Sequence, residues 1–333
     1  MDKPERKRIL AVMEKRGMNE RVQALRELSV TTQPHIDMER AKSETATYKK
    51  YEGQLSVPEL RAQVLYDYFA AKTLYIGDGE LIVGEKGDSP HGAPTFPELC
   101  CHTLEDMHVM NDRELISFSV KEEDYGYQER EIIPFWEKRS TRSKILANMS
   151  DQWKDCYAAG IFTEFMEQRG PGHTVGSFKL YEKGFLDYKA DIQASIDSLD
   201  YFHDTEAFEK RNQLRGMAKA CDAIMLLGAR YADYARELAK KENCDTRKAE
   251  LLQIAANCDV VPAHKPQTFW QAIQMYWFVH LGVTTELNPW DAYSPGRFDQ
   301  HLNPFYQKDV EEGILDEKKA LELLECLWVK FNN

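Results

Sequence analysis

A helix-dominated α/β fold is what this sequence of 333 residues predicts. Three observations carry that expectation. Long stretches, above all 204–242, repeat apolar residues at three- and four-residue intervals among Ala, Lys, Glu and Arg. Strand-like runs are few, the clearest being Glu80-Leu-Ile-Val-Gly84. Hydrophobic residues make up 43% and aromatic residues 11% of the chain, which suffices for a substantial core and argues against disorder.

The elements follow in order. Residues 5–29 read as a charged amphipathic helix, broken before Pro34, and a second helix runs from about Met38 to Lys50. Pro58 suits the first turn of a third, reaching about Leu74, because that turn has no use for the missing N–H. Gly84 to Pro97 is a glycine- and proline-rich loop, and Pro97 starts a helix through Met110. Residues 113–134 fit neither period. Phe135–Met149 and Asp151–Gln168 read as helices, and Arg169-Gly-Pro-Gly-His-Thr-Val-Gly176 as a breaker-rich loop. Helical periodicity returns at 189–199, 204–242, 246–257 and 266–282. A last amphipathic helix covers Asp316–Phe331, with Leu321, Leu324, Leu327, Trp328 and Phe331 on its apolar side. No repeat, low-complexity tract or linker divides the chain, so 1–333 reads as one unit without an internal boundary. The final apolar helix has nothing after it to pack under. That points to the first part of a larger fold, although a natural terminal helix can end this way.

Composition excludes several classes. A net charge of −12 argues against nucleic acid as partner, since phosphate binding needs a positive field. No apolar run reaches membrane-spanning length, and the charged N-terminus lacks the apolar centre of a signal peptide. The seven cysteines are odd in number and irregular in spacing, with no Cys-x-x-Cys, which fits reduced thiols in a cytoplasm. Cys100-Cys101-His102 is the one metal-like cluster, and adjacent residues make a poor chelate. No metal or bound cofactor is expected.

The richest stretch chemically is 284–306. It leaves a strongly apolar run and crowds Glu286, Asp291, Asp299, Arg297 and His301 among Trp290, Tyr293 and Phe298, with three prolines and one glycine. No single period sorts them into a buried and a wet face, which is the pattern of a pocket wall. Asp291, beside Trp290, can hold a substrate ammonium or hydroxyl; a helix cap or turn former satisfies the same position. Glu286, Asp299 and His301 share that ambiguity. His173 sits between breaker residues that let backbone approach closely, so it can face a cavity and move a proton, or be an ordinary surface-loop histidine. Gly84-Glu-Lys-Gly-Asp-Ser-Pro90 lacks the Gly-Lys-Ser/Thr ending of a phosphate loop and reads as a structural turn. His280 reads as a satisfied core histidine, and the Lys/Glu run over 239–249 as a solvated helix face. No Ser-His-Asp order and no His-Glu-x-x-His stands out.

Four longer segments, together with 284–306, carry a family resemblance. They are Gln33-Pro-His-Ile-Asp-Met-Glu-Arg-Ala41, Gly79-Glu-Leu-Ile-Val-Gly-Glu-Lys-Gly-Asp-Ser-Pro90, Phe162-Thr-Glu-Phe-Met-Glu-Gln-Arg-Gly-Pro-Gly-His-Thr-Val175 and Asp259-Val-Val-Pro-Ala-His-Lys-Pro266. From about residue 20 to Asn333 the chain resembles the N-terminal part of the glycyl radical enzymes, the pyruvate formate-lyase-like superfamily. It lies nearest the members that dehydrate trans-4-hydroxy-L-proline to (S)-1-pyrroline-5-carboxylate.

The resemblance implies a ten-stranded α/β barrel wrapped by helices, with this chain supplying its helix-rich N-terminal portion. It implies a glycyl radical outside these residues, installed by an activating enzyme that uses S-adenosylmethionine and an iron–sulfur cluster. It also implies a cytoplasmic homodimer at full length, with trans-4-hydroxy-L-proline as the small-molecule partner and neither nucleic acid nor membrane. His173 matches the position near the leaving hydroxyl, and Asp291 the position that contacts the cationic amine. None of the seven cysteines stands in the family's Cys-x-Glu, and Cys244-Asp-Thr lacks the glutamate, so this chain alone is expected to be inactive. A diol dehydratase, another amine-handling lyase of the superfamily, and a non-catalytic split-gene fragment are the alternatives.

Overall fold

The computed structural model describes residues 19–162, 174–287 and 293–333. Among them helices dominate. In chain order they are α1 (Glu20–Thr31), α2 (Glu39–Tyr51), α3 (Val57–Ala71), α4 (Leu104–Asp112) and α5 (Glu122–Tyr127), the last continuing through a π turn into α6 (Ile133–Trp136). Then come α7 (Thr141–Asn148), α8 (Asp151–Ala158), α9 (Lys179–Glu182), α10 (Phe185–Asp197), α11 (Ala207–Lys241) and α12 (Asp245–Val260). The series closes with α13 (Phe269–Leu287), α14 (Phe298–Glu311) and α15 (Glu317–Asn332). The described strands are β1 (His35–Asp37) and β2 (Gly92–Pro94), paired in parallel with His35 opposite Gly92.

The long α11 lies along α3, with α10 and α12 beside it. Its buried stripe is rich in small residues, including Ala223, Ala232, Ala235 and Ala239. At Gly216 a Cβ would stand 2.8 Å from the backbone oxygen of Pro58, so glycine is what lets α11 close on the start of α3. A core cluster runs from Val22 on α1 to Leu327 on α15 and includes Leu227, Ile273, Tyr276, Trp277 and Phe278, all below 1% exposed except Val22 at 1%. Each fully buried large apolar side chain contributes about 1.5–3 kcal/mol. A smaller cluster of Ile36, Met38, Ala41, Ile132 and Trp136 sits around β1. Trp136 there donates its indole N–H to Thr45 Oγ1 at 2.8 Å.

Most helices expected from periodicity are present, with shifted ends that have local causes. Of the first, expected over 5–29, residues 5–18 lie outside the described residues; its described part starts at Glu20, where Asn19 Oδ1 accepts the N–H of Val22 at 2.9 Å. The third stops at Ala71 rather than Leu74 because Lys72 turns inward, 2% exposed, and donates to the hydroxyl of Tyr68 and the carbonyls of Lys86 and Gly87. Pro97 does not start a helix. α4 begins at Leu104, where Thr103 and Asp106 form a reciprocal capping box. The helix expected over 135–149 is two pieces, since Ser140 caps a new one.

Two expectations fail outright. Residues 284–306 are not irregular throughout: α13 runs on to Leu287, and α14 starts at Phe298 with Pro304 inside it. Among the described residues Glu80–Gly84 pairs with no strand. Its main chain is satisfied by side chains instead. Trp270, Gln274 and Trp277, spaced four and three residues apart on one face of α13, donate to the carbonyls of Leu81, Val83 and Gly84 at 2.9, 2.8 and 2.9 Å. Gln274 also accepts the N–H of Val83 at 2.9 Å. Arg247 donates to the carbonyls of Glu80 and Gly77, each at 2.9 Å. Buried peptide groups need partners, and here a helix supplies them in place of a sheet.

Candidate active site

The candidate site is organised by α13. Apolar residues cover every side of this helix, so it sits inside the core rather than on it. Its ends are held from elsewhere in the chain. At the N-terminus Asp309 of α14, 1% exposed, accepts the N–H of Phe269 at 2.7 Å. At the C-terminus Arg40 of α2, 2% exposed, donates Nε to the carbonyl of Thr285 at 2.9 Å. Arg61 of α3 forms an ion pair with Glu286. A carboxylate at the positive end of the helix and guanidinium groups at the negative end match its dipole. Arg40 is itself braced by Glu44 at 2.6 Å and Glu98 at 2.8 Å, and lies 3.9 Å over the ring of Phe96.

Beyond α13 the chain meets the described end of the Arg169–Gly176 segment, Thr174 to Gly176. Val175 donates its N–H to the carbonyl of Ser294 at 2.9 Å, and Thr174 and Ser294 form a parallel bridge. Tyr293 is buried next to it. Gly296 has φ +63°, and a Cβ there would stand 2.4 Å from Thr174 Cγ2, so this crossing requires glycine. His173 and Asp291, the two residues singled out for chemistry, lie outside the described residues.

The other polar residues of 284–306 separate. Glu286 is held by Arg61, and Arg40 acts on the same helix end. Asp299 and Arg297 are exposed at the start of α14, and the ring of His301 packs 5.7 Å from Tyr181. His280 is 6% exposed, bonded through Nδ1 to the Tyr276 hydroxyl at 3.2 Å and stacked on Trp277. Burial pushes its pKa down to about 4, as suits a neutral core histidine. Gly84–Pro90 is a turn whose Glu85 is buried against Lys330 of α15. All seven cysteines are free, and burial raises the Cys101 thiol to about 12. Among the described residues no group of three or more His, Cys, Asp and Glu is placed to hold a metal ion. No described helix is long and apolar enough to cross a membrane.

Arg40 and Arg61 escape sequence reasoning. Each reads locally as a charged residue on an amphipathic helix, and their partners on α13, Thr285 and Glu286, lie more than two hundred residues away. Only Arg40, inside the Gln33–Ala41 segment, carried any signal.

Residues 16–333 match the family model described as pyruvate formate lyase-like. The chain is 60% identical over 318 residues to trans-4-hydroxy-L-proline dehydratase of Clostridioides difficile, covering 96% of this chain and 40% of that protein. It is 35% identical over 324 residues to isethionate sulfite-lyase of Nitratidesulfovibrio vulgaris, covering 94% of this chain and 39% of that protein. The crystal structure of hydroxyproline dehydratase from Clostridioides difficile, with trans-4-hydroxy-L-proline bound, matches the fold with a TM-score of 0.91 at 59% identity, covering 95% of this chain and 40% of that one. The chain thus spans about 40% of the length of these relatives.

Proposed function

The chain belongs to the pyruvate formate lyase-like family, and from that premise we propose that it forms the N-terminal portion of a glycyl radical lyase acting on trans-4-hydroxy-L-proline. The reaction removes water and leaves (S)-1-pyrroline-5-carboxylate. The observation that carries the substrate is the 60% identity to trans-4-hydroxy-L-proline dehydratase over 96% of this chain. The whole of 1–333 belongs to one such domain, in a cytoplasmic enzyme that is a homodimer at full length. A separate activating enzyme, with S-adenosylmethionine and an iron–sulfur cluster, installs the radical.

When present, the glycyl radical and its partner cysteine supply hydrogen-atom abstraction next to the hydroxyl-bearing carbon. Residues 1–333 contain no Cys-x-Glu, so by themselves they bind and orient rather than react. The carboxylate of Asp291 pairs with the ring ammonium and fixes which hydrogen faces the abstracting group. The imidazole of His173 hydrogen-bonds the hydroxyl, stabilising its departure as water. Support for a joint role comes from proximity along the chain to the Thr174–Ser294 bridge: His173 directly precedes Thr174, and Asp291 stands three residues before Ser294.

The test uses the full-length polypeptide with its activating enzyme. Asp291→Asn should chiefly raise KM, because the ammonium is present in the ground state. His173→Gln should chiefly lower kcat. Losing a hydrogen bond to a charged group costs about 1.5–3 kcal/mol, so each variant should lose at least about tenfold in kcat/KM. Glycyl radical content, read by electron paramagnetic resonance, separates these defects from poor activation. Normally activated variants with wild-type kinetics would remove both residues from the site. Residues 1–333 alone should yield neither radical signal nor product.

A further inference from the structure

A cavity of about 10 Å³ lies between the end of β1, the segment 95–102, α4 and the π turn that follows α5. It has room for a single water-sized guest. Its lining is rich in sulfur. Met38, Cys100, Met107 and Met110 contribute four sulfur-bearing side chains, and His102 an imidazole. Met107 and Met110 stand three residues apart, on one face of α4. In the sequence, Cys100-Cys101-His102 is a poor chelate because neighbouring residues point apart. The structure separates them. Cys100 and His102, two residues apart, line the cavity, while Cys101 packs against the small cluster around β1.

The lining is held in place from several sides. Thr95 Oγ1 donates to Met38 Sδ at 3.6 Å, and Arg142 Nη1 donates to Cys100 Sγ at 3.3 Å. A neighbouring arginine favours the thiolate, the form of cysteine that binds metals. Gln128, 4% exposed, donates Nε2 to the carbonyl of His102 at 2.6 Å. Gln128 opens the π turn, and such turns are frequent at functional sites. Met38 and Met107 are buried and Cys100, His102 and Met110 half-buried, which gives an arriving ion a short path.

A trapped water needs two to four hydrogen-bond partners, and thioethers accept only weakly, so this lining suits water poorly. Thiolate and thioether donors select monovalent copper, and imidazole suits copper too. Among the described residues no three of His, Cys, Asp and Glu are placed to hold a metal ion. Here two such groups stand with thioethers, which complete the set. We propose that the cavity binds one monovalent copper ion through the Cys100 thiolate, the His102 imidazole and the thioethers of Met107 and Met110. Met38, whose sulfur already accepts from Thr95, closes the cavity beside them. The site needs neither the radical nor the substrate, so it stands apart from the reading given above.

Anaerobic titration of the unactivated full-length polypeptide with Cu(I), against a chromophoric chelator, tests this. One ion should be retained, and X-ray absorption at the copper edge should show both sulfur and nitrogen neighbours. Met107→Leu combined with Met110→Leu keeps side-chain volume and every thiol. It should weaken retention at least about tenfold, since the loss even of groups that only orient a ligand costs roughly 10–100-fold. Cys100→Ser should weaken it further, and Cys244→Ser, at an exposed thiol, should leave it unchanged. Cu(I) should raise the unfolding midpoint of the parent but not of the double methionine variant. Parental retention in that variant, copper bound by sulfur alone, or no ion held against the chelator overturns the proposal, the last outcome marking a dry void.

Discussion

His280 is an ionisable group enclosed by aromatic rings. Trp277 lies 5.0 Å away in a stacked arrangement and Phe331 5.2 Å away edge-on, while Tyr276 binds its Nδ1. Burial, with a smaller contribution from the Lys86 cation, lowers its pKa from 6.5 to about 4. The fold therefore excludes the protonated form that the unfolded chain adopts below 6.5. The stability this contributes is fully present above pH 6.5 and is lost as pH falls toward 4. The loss should reach about 3 kcal/mol, since one pKa unit corresponds to about 1.4 kcal/mol. Urea unfolding at a series of pH values measures it, and His280→Phe should flatten that part of the profile. An unchanged slope in the variant would assign the acid sensitivity elsewhere. The neutral core role of His280 was legible in the sequence, from an apolar run on both sides. Lys330 was not. Its ammonium is 3% exposed between Glu80 and Glu85, about two hundred and fifty residues back along the chain, and nothing within a helical turn announces such partners.

Among the elements, α13 shows what periodicity can and cannot reveal. Its apolar run was plain, and so was its being a helix. Its full length was not, because Thr284, Thr285 and Glu286 look like the start of a polar loop. They are helical because Arg40 and Arg61 compensate them from outside. The N-terminal end makes a related point: Thr268, just before the helix, accepts the N–H of Gln271 at 3.3 Å, but the N–H of Phe269 is taken by Asp309 of α14 at 2.7 Å, from forty residues further along the chain. Asp309→Ala should cost about 1–2 kcal/mol of stability, the range of a lost helix cap. Denaturant unfolding would show it, and a variant as stable as the parent would mean that Phe269 finds another acceptor. α14 was missed for a related reason. Pro304 and its closely spaced aromatics read as breakers, yet Phe298 and Leu302, one turn apart, are buried and hold the helix to its neighbours. His173 and Asp291 were singled out through family resemblance rather than pattern, because a loop residue has no periodic context to distinguish chemistry from capping, and both lie outside the described residues.

At the scale of the whole molecule, a groove of about 1050 Å³ opens between α1, α14 and α15. Phe298, Leu302, Tyr306, Leu321, Leu324 and Trp328 line it. The sequence places an apolar stripe on the last helix, and the structure divides it: Leu327 is fully buried, whereas Leu321 and Trp328 are 56% and 55% exposed. Residues 1–333 in isolation should bind a hydrophobic dye and associate as concentration rises, because apolar patches of this kind favour contact. Trp328→Glu should weaken both effects. A parent chain that stays monomeric at high concentration without dye binding would count against an adhesive groove. The three-residue comb of α13 has a different kind of consequence. It grips the main chain of Leu81, Val83 and Gly84, not their side chains. A residue exchanged within 81–83 need not be answered by one on α13, provided that it stays apolar and fits. Among related sequences, this contact should therefore leave little trace in paired substitutions, although it ties together parts of the chain nearly two hundred residues apart.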